Sequence, residues 1–486
     1  MSRIVKFCNA CFFTGNYPTA LFIFGEQNQF PGIEEANPMQ KDGKLSFKEK
    51  VGYGLGDTAS NLYWQMFVNF LLFFYTDIFG ISAAAAGTML MVSRFWDAVN
   101  DPMMGIIADR TQTKWGRFRP YLIWMSGPLA IIGVLAFVTP DLSLTGKIIY
   151  AYVTYTLIMM AYTAINIPYS ALMGVLSPSS QERTSVATYR FVLAFAGAFV
   201  VQGCTLPLVK FFGSGDQAVG FPATMAVYGV FAGILFYITF AWTKERVHPP
   251  ANQKSSLKKD LNDLVHNRPW MVLLVMGIFT LGYIVVRSGT ILYYFKYYVG
   301  NELQSALFMV LGTIAVIAGV ACTQFFSKLL GKKKFYLIVM TLTSLFTMLF
   351  YFIPKDQIVL VFAVHIIISF VMAPQAPLLW SMYADTADYS EWKNERRATG
   401  LVFSAATFAQ KFGIALGGGL AGYLLAMFGF VANVEQTPEA LTGIRLMMSF
   451  IPTIGSVIAL IAAFFYELDD KTMAKIESDL KERKVA

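Results

Sequence analysis

The chain has 486 residues, 56% of them hydrophobic and only 14% charged. Soluble globular chains carry about 25% charged residues, and here the apolar residues stand in long blocks, so a polytopic membrane protein is expected and a soluble fold excluded. The formal charge of +8 is read as Lys and Arg crowding the loops on one membrane side, not as a nucleic-acid-binding surface.

Residues 1–38 differ from the rest. They hold Gly15, Pro18, Gly25, Pro31 and Pro38, with one short apolar run at 21–24. They lack the charged start, apolar core and small-residue cleavage site of a secretory signal. Cys8 and Cys11 form a lone C-x-x-C without a second ligand pair, so no structural zinc is expected. A basic lead, 39–50, then enters the first apolar span. Met39 is the expected working start, with 1–38 a disordered or mispredicted extension.

About twelve spans follow, near 50–75, 83–107, 120–139, 147–173, 186–212, 222–243, 269–295, 303–327, 335–353, 358–382, 399–428 and 442–466. Cys204 and Cys322 fall inside spans, as packing residues. The longest internal loop, 244–268, separates a six-span half at 39–243 from a second at 269–467, leaving a tail at 468–486. One set of loops carries Arg110, Lys114, Arg117, Arg119, Arg183, Lys244, Arg246, Lys254, Lys258, Lys259, Arg268, Lys328, Lys332, Lys333, Lys334, Lys393, Arg396 and Arg397. The other has little beyond Lys147, Lys210, Lys296 and Lys355. The positive-inside rule puts the first set and both termini in the cytoplasm. Gln181-Glu-Arg-Thr before span five echoes Glu395-Arg-Arg-Ala before span eleven, and 116–119 echoes 331–334, both at an offset of roughly 215 residues. Two parallel six-span halves are the layout of major-facilitator transporters, with the site between them near mid-membrane.

The polar residues inside the spans are the informative ones, because charge at bilayer depth costs at least roughly 2.5–3.5 kcal/mol unless it faces a cavity or a partner. Span one carries Tyr53, Asp57, Asn61, Gln65 and Asn69 at successive i+4 steps, a stripe suited to lining a cavity or gluing helices together. Span two carries Arg94, Asp97 and Asp101 at i, i+3 and i+7 on one helical face, with Asn100 at its edge. The loop after it, through Asp109, Arg110 and Arg117, is an ion-pair latch or a solvated anchor. Span four places Thr163, Asn166 and Ser170 on one face, and Pro168 frees a carbonyl one turn earlier. Span five holds Arg190 and span seven Arg287. Span eleven holds Thr407, Gln410 and Lys411, and Lys411 needs a carboxylate or a cavity, for which Asp97 and Asp101 are the natural partners. His365 stands alone in span ten and reads as packing. The segment 385–397, with Asp385, Asp388 and Arg396, is a loop of alternating charge that could close an inner gate with the region around Glu182 and Arg183. Tyr162, Tyr169 and Trp380 could stack on sugar faces. No metalloprotease, hydrolase or phosphate-cradling motif is present, so no enzyme and no nucleotide-driven pump is expected.

Several segments together carry a resemblance: Gly52-Tyr-Gly-Leu-Gly-Asp57, Tyr75-Thr-Asp77, Arg94-Phe-Trp-Asp97-Ala-Val-Asn-Asp101-Pro102, Asn166-Ile-Pro-Tyr and Ala384-Asp-Thr-Ala-Asp-Tyr-Ser-Glu-Trp-Lys393. From about Leu45 to the end of span twelve the chain resembles the glycoside–pentoside–hexuronide:cation symporters, the melibiose-carrier relatives within the major facilitator superfamily. The resemblance implies an all-α membrane fold of two six-helix halves in a bacterial cytoplasmic membrane. It also implies symport of a sugar with sodium or a proton by alternating access, with no cofactor beyond that ion. It places the cation at Asp97, Asn100, Asp101 and Thr163, Lys411 between the cation and sugar sites, and Arg190 and Thr407 on the sugar side. The sugar would meet Asn61, Gln65, Tyr162, Asn166, Ser170 and Trp380 as well. Gating falls to Asp109, Arg110, Arg183, Asp385, Asp388 and Arg396. Melibiose carriers have sugar-binding aspartates where this chain has Asn61 and Asn166, and a tryptophan where it has Ser170, which points toward glucuronides, xylosides and related glycosides instead. A lipid or drug transporter and a non-transporting sugar sensor are the alternatives.

Overall fold

The computed structural model describes residues 44–177, 180–246, 266–394 and 399–485, and among them there is no strand. Twelve helices correspond to the twelve expected spans. In the first half they are α1 (Phe47–Asn69, continued by Leu71–Phe73 and a π-helical turn at Phe74–Ile78), α2 (Ala83–Arg110), α3 (Arg119–Trp124 and Ser126–Leu135), α4 (Leu144–Leu176), α5 (Ser180–Gly213) and α6 (Gln217–Trp242). The second half has α7 (Arg268–Tyr293, continued by a π-helical turn at Tyr294–Val299), α8 (Gln304–Leu330), α9 (Lys332–Leu349), α10 (Ile358–Met372 and Gln375–Asn394), α11 (Thr399–Met427) and α12 (Pro438–Met448 and Phe450–Phe464). A further helix, α13 (Asp470–Val485), forms the tail. Among the described residues, eight helices are long and apolar enough by composition alone to cross a membrane.

Local chemistry sets the ends and breaks. Ser46 and Glu49 close a reciprocal capping box at the start of α1, and Ser82, Ser143, Asp216, Asn267 and Thr437 cap α2, α4, α6, α7 and α12. The interruptions in α3, α10 and α12 each fall just before a proline: Pro128, Pro374 and Pro452. A proline ring clashes with the carbonyl four residues back and has no N–H to donate. Helix α10 resumes after its break and runs to Asn394, so most of the charged segment expected as a loop at 385–397 is helical; 395–398 lies outside the described residues.

Alternation of the helices puts both chain ends on one face, here the terminal face; the other is the far face. Two hydrophobic cores reveal how the halves meet. The larger contains the first half together with residues of the second at its far end, among them Ile291, Tyr293, Phe295, Phe308, Phe350 and Ala421. The smaller, with Trp270, Tyr336, Leu379, Tyr383 and Ala406, is built from the second half alone, toward the terminal face. The tail helix closes that smaller core by burying Met473, Ile476 and Leu480, while Trp392 donates to Asp479 at 2.8 Å.

The candidate transport site and its closure

Asp101 joins the two halves between the faces. Thr163 on α4 donates to its Oδ1 at 3.1 Å, and Lys411 on α11 forms an ion pair with its Oδ2. Both members of the pair keep some exposure, 18% for Asp101 and 30% for Lys411. Asn100, beside Asp101, has a buried Nδ2 without a hydrogen-bond partner. Of the four expected cation residues, Asp101 and Thr163 are in direct contact, and Asn100 adjoins Asp101 in the chain. Asp97 stands one turn earlier on α2, and its side chain, like that of Arg94, lies outside the described residues. Thr407, one turn before Lys411 on the same helix, is exposed.

A second polar cluster lies within the first half. Arg190 of α5 meets Asp57 of α1 in a forked pair, Nε to Oδ2 at 3.1 Å and Nη2 to Oδ1 at 3.3 Å. The guanidinium lies over the Tyr169 ring, with 5.4 Å to its centroid. Tyr169 stacks on Tyr53 at 4.6 Å, and each hydroxyl donates to the other residue's carbonyl. Gly56 makes this possible: a Cβ there would sit 2.5 Å from the Tyr169 ring. One turn along α1, Asn61 Nδ2 donates to the Asp57 carbonyl at 2.9 Å, and on α4 Asn166 Nδ2 donates to the Tyr162 carbonyl at 3.1 Å. Ser170 is exposed, Tyr162 stacks against Trp64, and Trp380 packs edge-on to Tyr383. Tyr169 itself is fully buried and acts as the platform under Arg190.

Gln65 has a different setting from the other stripe residues. Its side-chain oxygen accepts from Asn69 at 2.8 Å and from Gln202 at 3.2 Å, and Gln202 in turn accepts from Thr313 at 2.5 Å. That chain joins α1, α5 and α8 and so crosses between the halves. A small apolar pocket lies beside it, lined by Phe67, Leu90, Tyr155, Val285, Ile414 and Gly418.

The far face is closed by contacts across the halves. The two π-helical turns occupy corresponding places at the ends of α1 and α7. From the first, the Asp77 side chain is fully buried and accepts from Lys296 at 2.7 Å and from the Tyr297 hydroxyl, both on the second. Asn433 accepts from Lys296 at 2.8 Å and donates to the Asp77 carbonyl. Thr76 bonds Tyr293 at 2.8 Å, and Gln217 donates to Glu302 at 3.2 Å. Helices α2 and α11 touch backbone to backbone: a Cβ on Gly422 would lie 2.4 Å from the Ala83 carbonyl oxygen, and one on Gly87 2.7 Å from that of Gly419. Burial raises the Glu302 carboxyl above the ordinary range; Lys296 and the Gln217 bond oppose this, and Asp77 adds to it.

On the terminal face, the described polar contacts run within each half. Glu182 accepts from Lys50 and from the Leu45 N–H, and Arg246 pairs with Glu49 at 2.7 Å. Burial works against the Glu182 charge, but those two donors, with Lys44 nearby, hold its carboxyl below the ordinary range. Asp385 is taken by Lys332 of α9 at 2.7 and 2.8 Å, both in the second half. Asp388 is buried and Arg110 exposed. The side chains of Asp109 and Arg183, and the whole of Arg396, lie outside the described residues. The loop after α2 is pinned by Glu245, whose carboxylate accepts the N–H groups of Arg117, Phe118 and Arg119 at 2.8, 2.8 and 3.0 Å. Gly116, at φ +110°, leaves room for that carboxylate.

Sequence reasoning missed three features: the Asp57–Arg190 pairing, the far-face cluster and the Glu245 clasp. Only the second left a signal, in the acidic Tyr75-Thr-Asp77 and basic Phe295-Lys-Tyr297 that end equivalent helices. His365 is a packing residue as expected, stacked on Phe308 at 3.6 Å, but it also bonds the buried Arg287 at 3.1 Å. Cys204 is exposed and not packed, because it points away from the bundle it was expected to fill.

Two six-helix halves, a charged site between them and one face sealed define a polytopic secondary transporter of the major-facilitator type. The family described as MFS/sugar transport protein matches residues 52–470, and the chain belongs to it, among the glycoside–pentoside–hexuronide:cation symporters. It is a transporter and not an enzyme. YagG of Escherichia coli (strain K12), provisionally named a glycoside/cation symporter, is 39% identical over 448 residues, covering 91% of this chain and 96% of its own. The isoprimeverose transporter of Lactiplantibacillus pentosus is 35% identical, covering 93% and 95%. Among solved structures, the nucleoside transporter NupG superposes with a TM-score of 0.58 at 15% identity, over 86% of this chain and all of NupG, a likeness of fold.

Proposed function

We propose that the protein carries a sugar into the cell together with a sodium ion or a proton, by alternating access, with the ion bound at Asp101. The observation that carries this is the convergence on Asp101 of Thr163 from α4 and Lys411 from the opposite half. A carboxylate, a threonine hydroxyl and an asparagine are oxygen donors suited to a hard monovalent cation, and a carboxylate alone can take a proton. The unpartnered Asn100 Nδ2 fits: a half-turn of the amide puts Oδ1 in its place and supplies another ligand.

The positive-inside rule puts the terminal face in the cytoplasm, so this structure, sealed at the far face, corresponds to an inward-facing state in the bacterial cytoplasmic membrane. In the outward-facing state, an arriving cation displaces the Lys411 ammonium from Asp101. The ammonium then turns to the sugar, which binds between Asn61, Asn166 and Arg190 on one side and α11 on the other. With its charges matched, the site can pass through the closed intermediate at lower electrostatic cost. One charge crossing 100 mV supplies about 2.3 kcal/mol, enough for a sugar gradient of roughly fiftyfold.

The test is uptake into proteoliposomes over a panel of glycosides, under imposed sodium or proton gradients. Asp101→Asn is expected to bind sugar but not to concentrate it. Accumulation by that variant with unchanged ion dependence would falsify the assignment, and sugar binding without any uptake by the wild type would make the protein a sensor.

A further inference from the structure

The symport reading leaves the charge of the sugar open, and the inference here rests on that reading. We infer that Asp57 is a specificity-determining residue that makes this an importer of uncharged glycosides, by occupying Arg190. Sugar carboxylates are recognised by unpaired cations, above all by the fork of an arginine. In this site the fork is already filled: Nε and Nη2 of Arg190 both donate to Asp57, and the pair is held in place by the Tyr53–Tyr169 stack beneath it. The other described cation of the site, Lys411, is held by Asp101. A uronate reaching Arg190 would therefore stand within a few ångströms of the Asp57 carboxylate and meet like charge.

Hydroxyl groups face no such obstacle. Arg190 has five N–H donors, of which the Asp57 bonds use two, and its side chain is 26% exposed against 11% for Asp57. A sugar thus touches the arginine edge, while Asp57 acts behind it as a positioning residue. Asn61 and Asn166 each donate one amide proton to their own helix, which leaves amide oxygens to accept from hydroxyls. The exposed Ser170 hydroxyl adds a donor and an acceptor. The combination suits a polyhydroxylated neutral ring.

The experiment compares ion-driven uptake of the 4-nitrophenyl β-D-xyloside, β-D-glucoside and β-D-glucuronide by the reconstituted full-length protein. The three share an aglycone and differ in the group on C5. The wild type is expected to favour a neutral sugar over the glucuronide by tenfold or more. Asp57→Asn removes the competing negative charge and one of the two acceptors on the fork, and should move that ratio toward the glucuronide by tenfold or more, and Asp57→Glu should restore it. A purely structural role would lower all three rates together and leave the ratio alone. A wild type that handles the glucuronide as well as the neutral sugars overturns the inference, whether or not Asp57→Asn folds, and leaves symport standing. An unchanged ratio in folded Asp57→Asn also overturns it. Absence of ion-driven uptake for every sugar would instead remove the symport reading and this one with it.

Discussion

Because Lys411 already holds Asp101, a cation proposed to bind that carboxylate competes with an ammonium. Lys411→Gln should therefore raise cation affinity, by about tenfold or about 1.4 kcal/mol, while lowering sugar accumulation; isothermal titration with sodium and a flux assay check the two halves of that outcome. Two carboxylates away from the membrane core bear on pH. Glu182 has a lowered pKa, so the stability it lends is complete above the ordinary glutamate pKa of about 4.3 and is lost only as pH falls through its lower folded value. Changes in transport between pH 6 and 8 therefore do not come from Glu182, and Glu182→Gln should leave the pH profile of uptake in that window unshifted. Glu302 has the opposite sign. Its raised pKa means that the contribution of Glu302 to the closed far face is complete at low pH and is lost as pH rises through the folded value. Glu302→Gln cannot lose that stability, so at neutral pH a cysteine placed behind the far-face cluster should react several-fold more slowly with a membrane-impermeant maleimide than in the wild type. At this scale the partnership of Lys411 with Asp101 was legible, because a lysine deep in an apolar span needs a carboxylate; Arg94 and Asp97, on the same face of span two, have side chains outside the described residues. The forked pair was not legible: Asp57 and Arg190 are far apart in sequence, and an arginine near a span end reads equally well as a surface residue.

Helices meet where glycine lets them. The backbone contact of α2 with α11 at Gly87 and Gly422 leaves no space for a side chain in the closed far face, and under the proposed alternating access it must part for that face to open. Gly422→Leu should therefore hold the far face open and cut uptake by tenfold or more at normal membrane abundance, with faster labelling of the same reporter cysteine as the readout. Helix α3 has a different dependence. Its start relies on the Glu245 carboxylate to satisfy three N–H groups, and Glu245→Ala should cost about 1–2 kcal/mol of stability, seen as a lower melting temperature in detergent. The helix count and most boundaries could be read from apolar block length, and the prolines explain where α3, α10 and α12 break. The helical course of 385–394 was hidden because alternating charge looks like a polar loop until the neighbours that cover it, Lys332 and the tail helix, are in place.

At the scale of the molecule, among the described residues, the two halves share a hydrophobic core at the far face, and the described polar contacts on the terminal face stay within each half. The sequence carried the two-half plan through its length, its long middle loop and its weak repeats. It could not carry the state, because the state is set by contacts between residues far apart in the chain, such as Asp77 and Lys296. The far-face cluster has a further implication. Its partners come from equivalent turns, starting at residues 74 and 294, that face each other across the axis relating the halves. Counted from the starts of the turns, Tyr297 stands where Asp77 does and Thr76 stands where Lys296 does, so two copies of the first half would bring two aspartates and no lysine, and two copies of the second half the reverse. Neither turn carries both charges, so the lock as it stands forms between two diverged halves and not between two copies of either one.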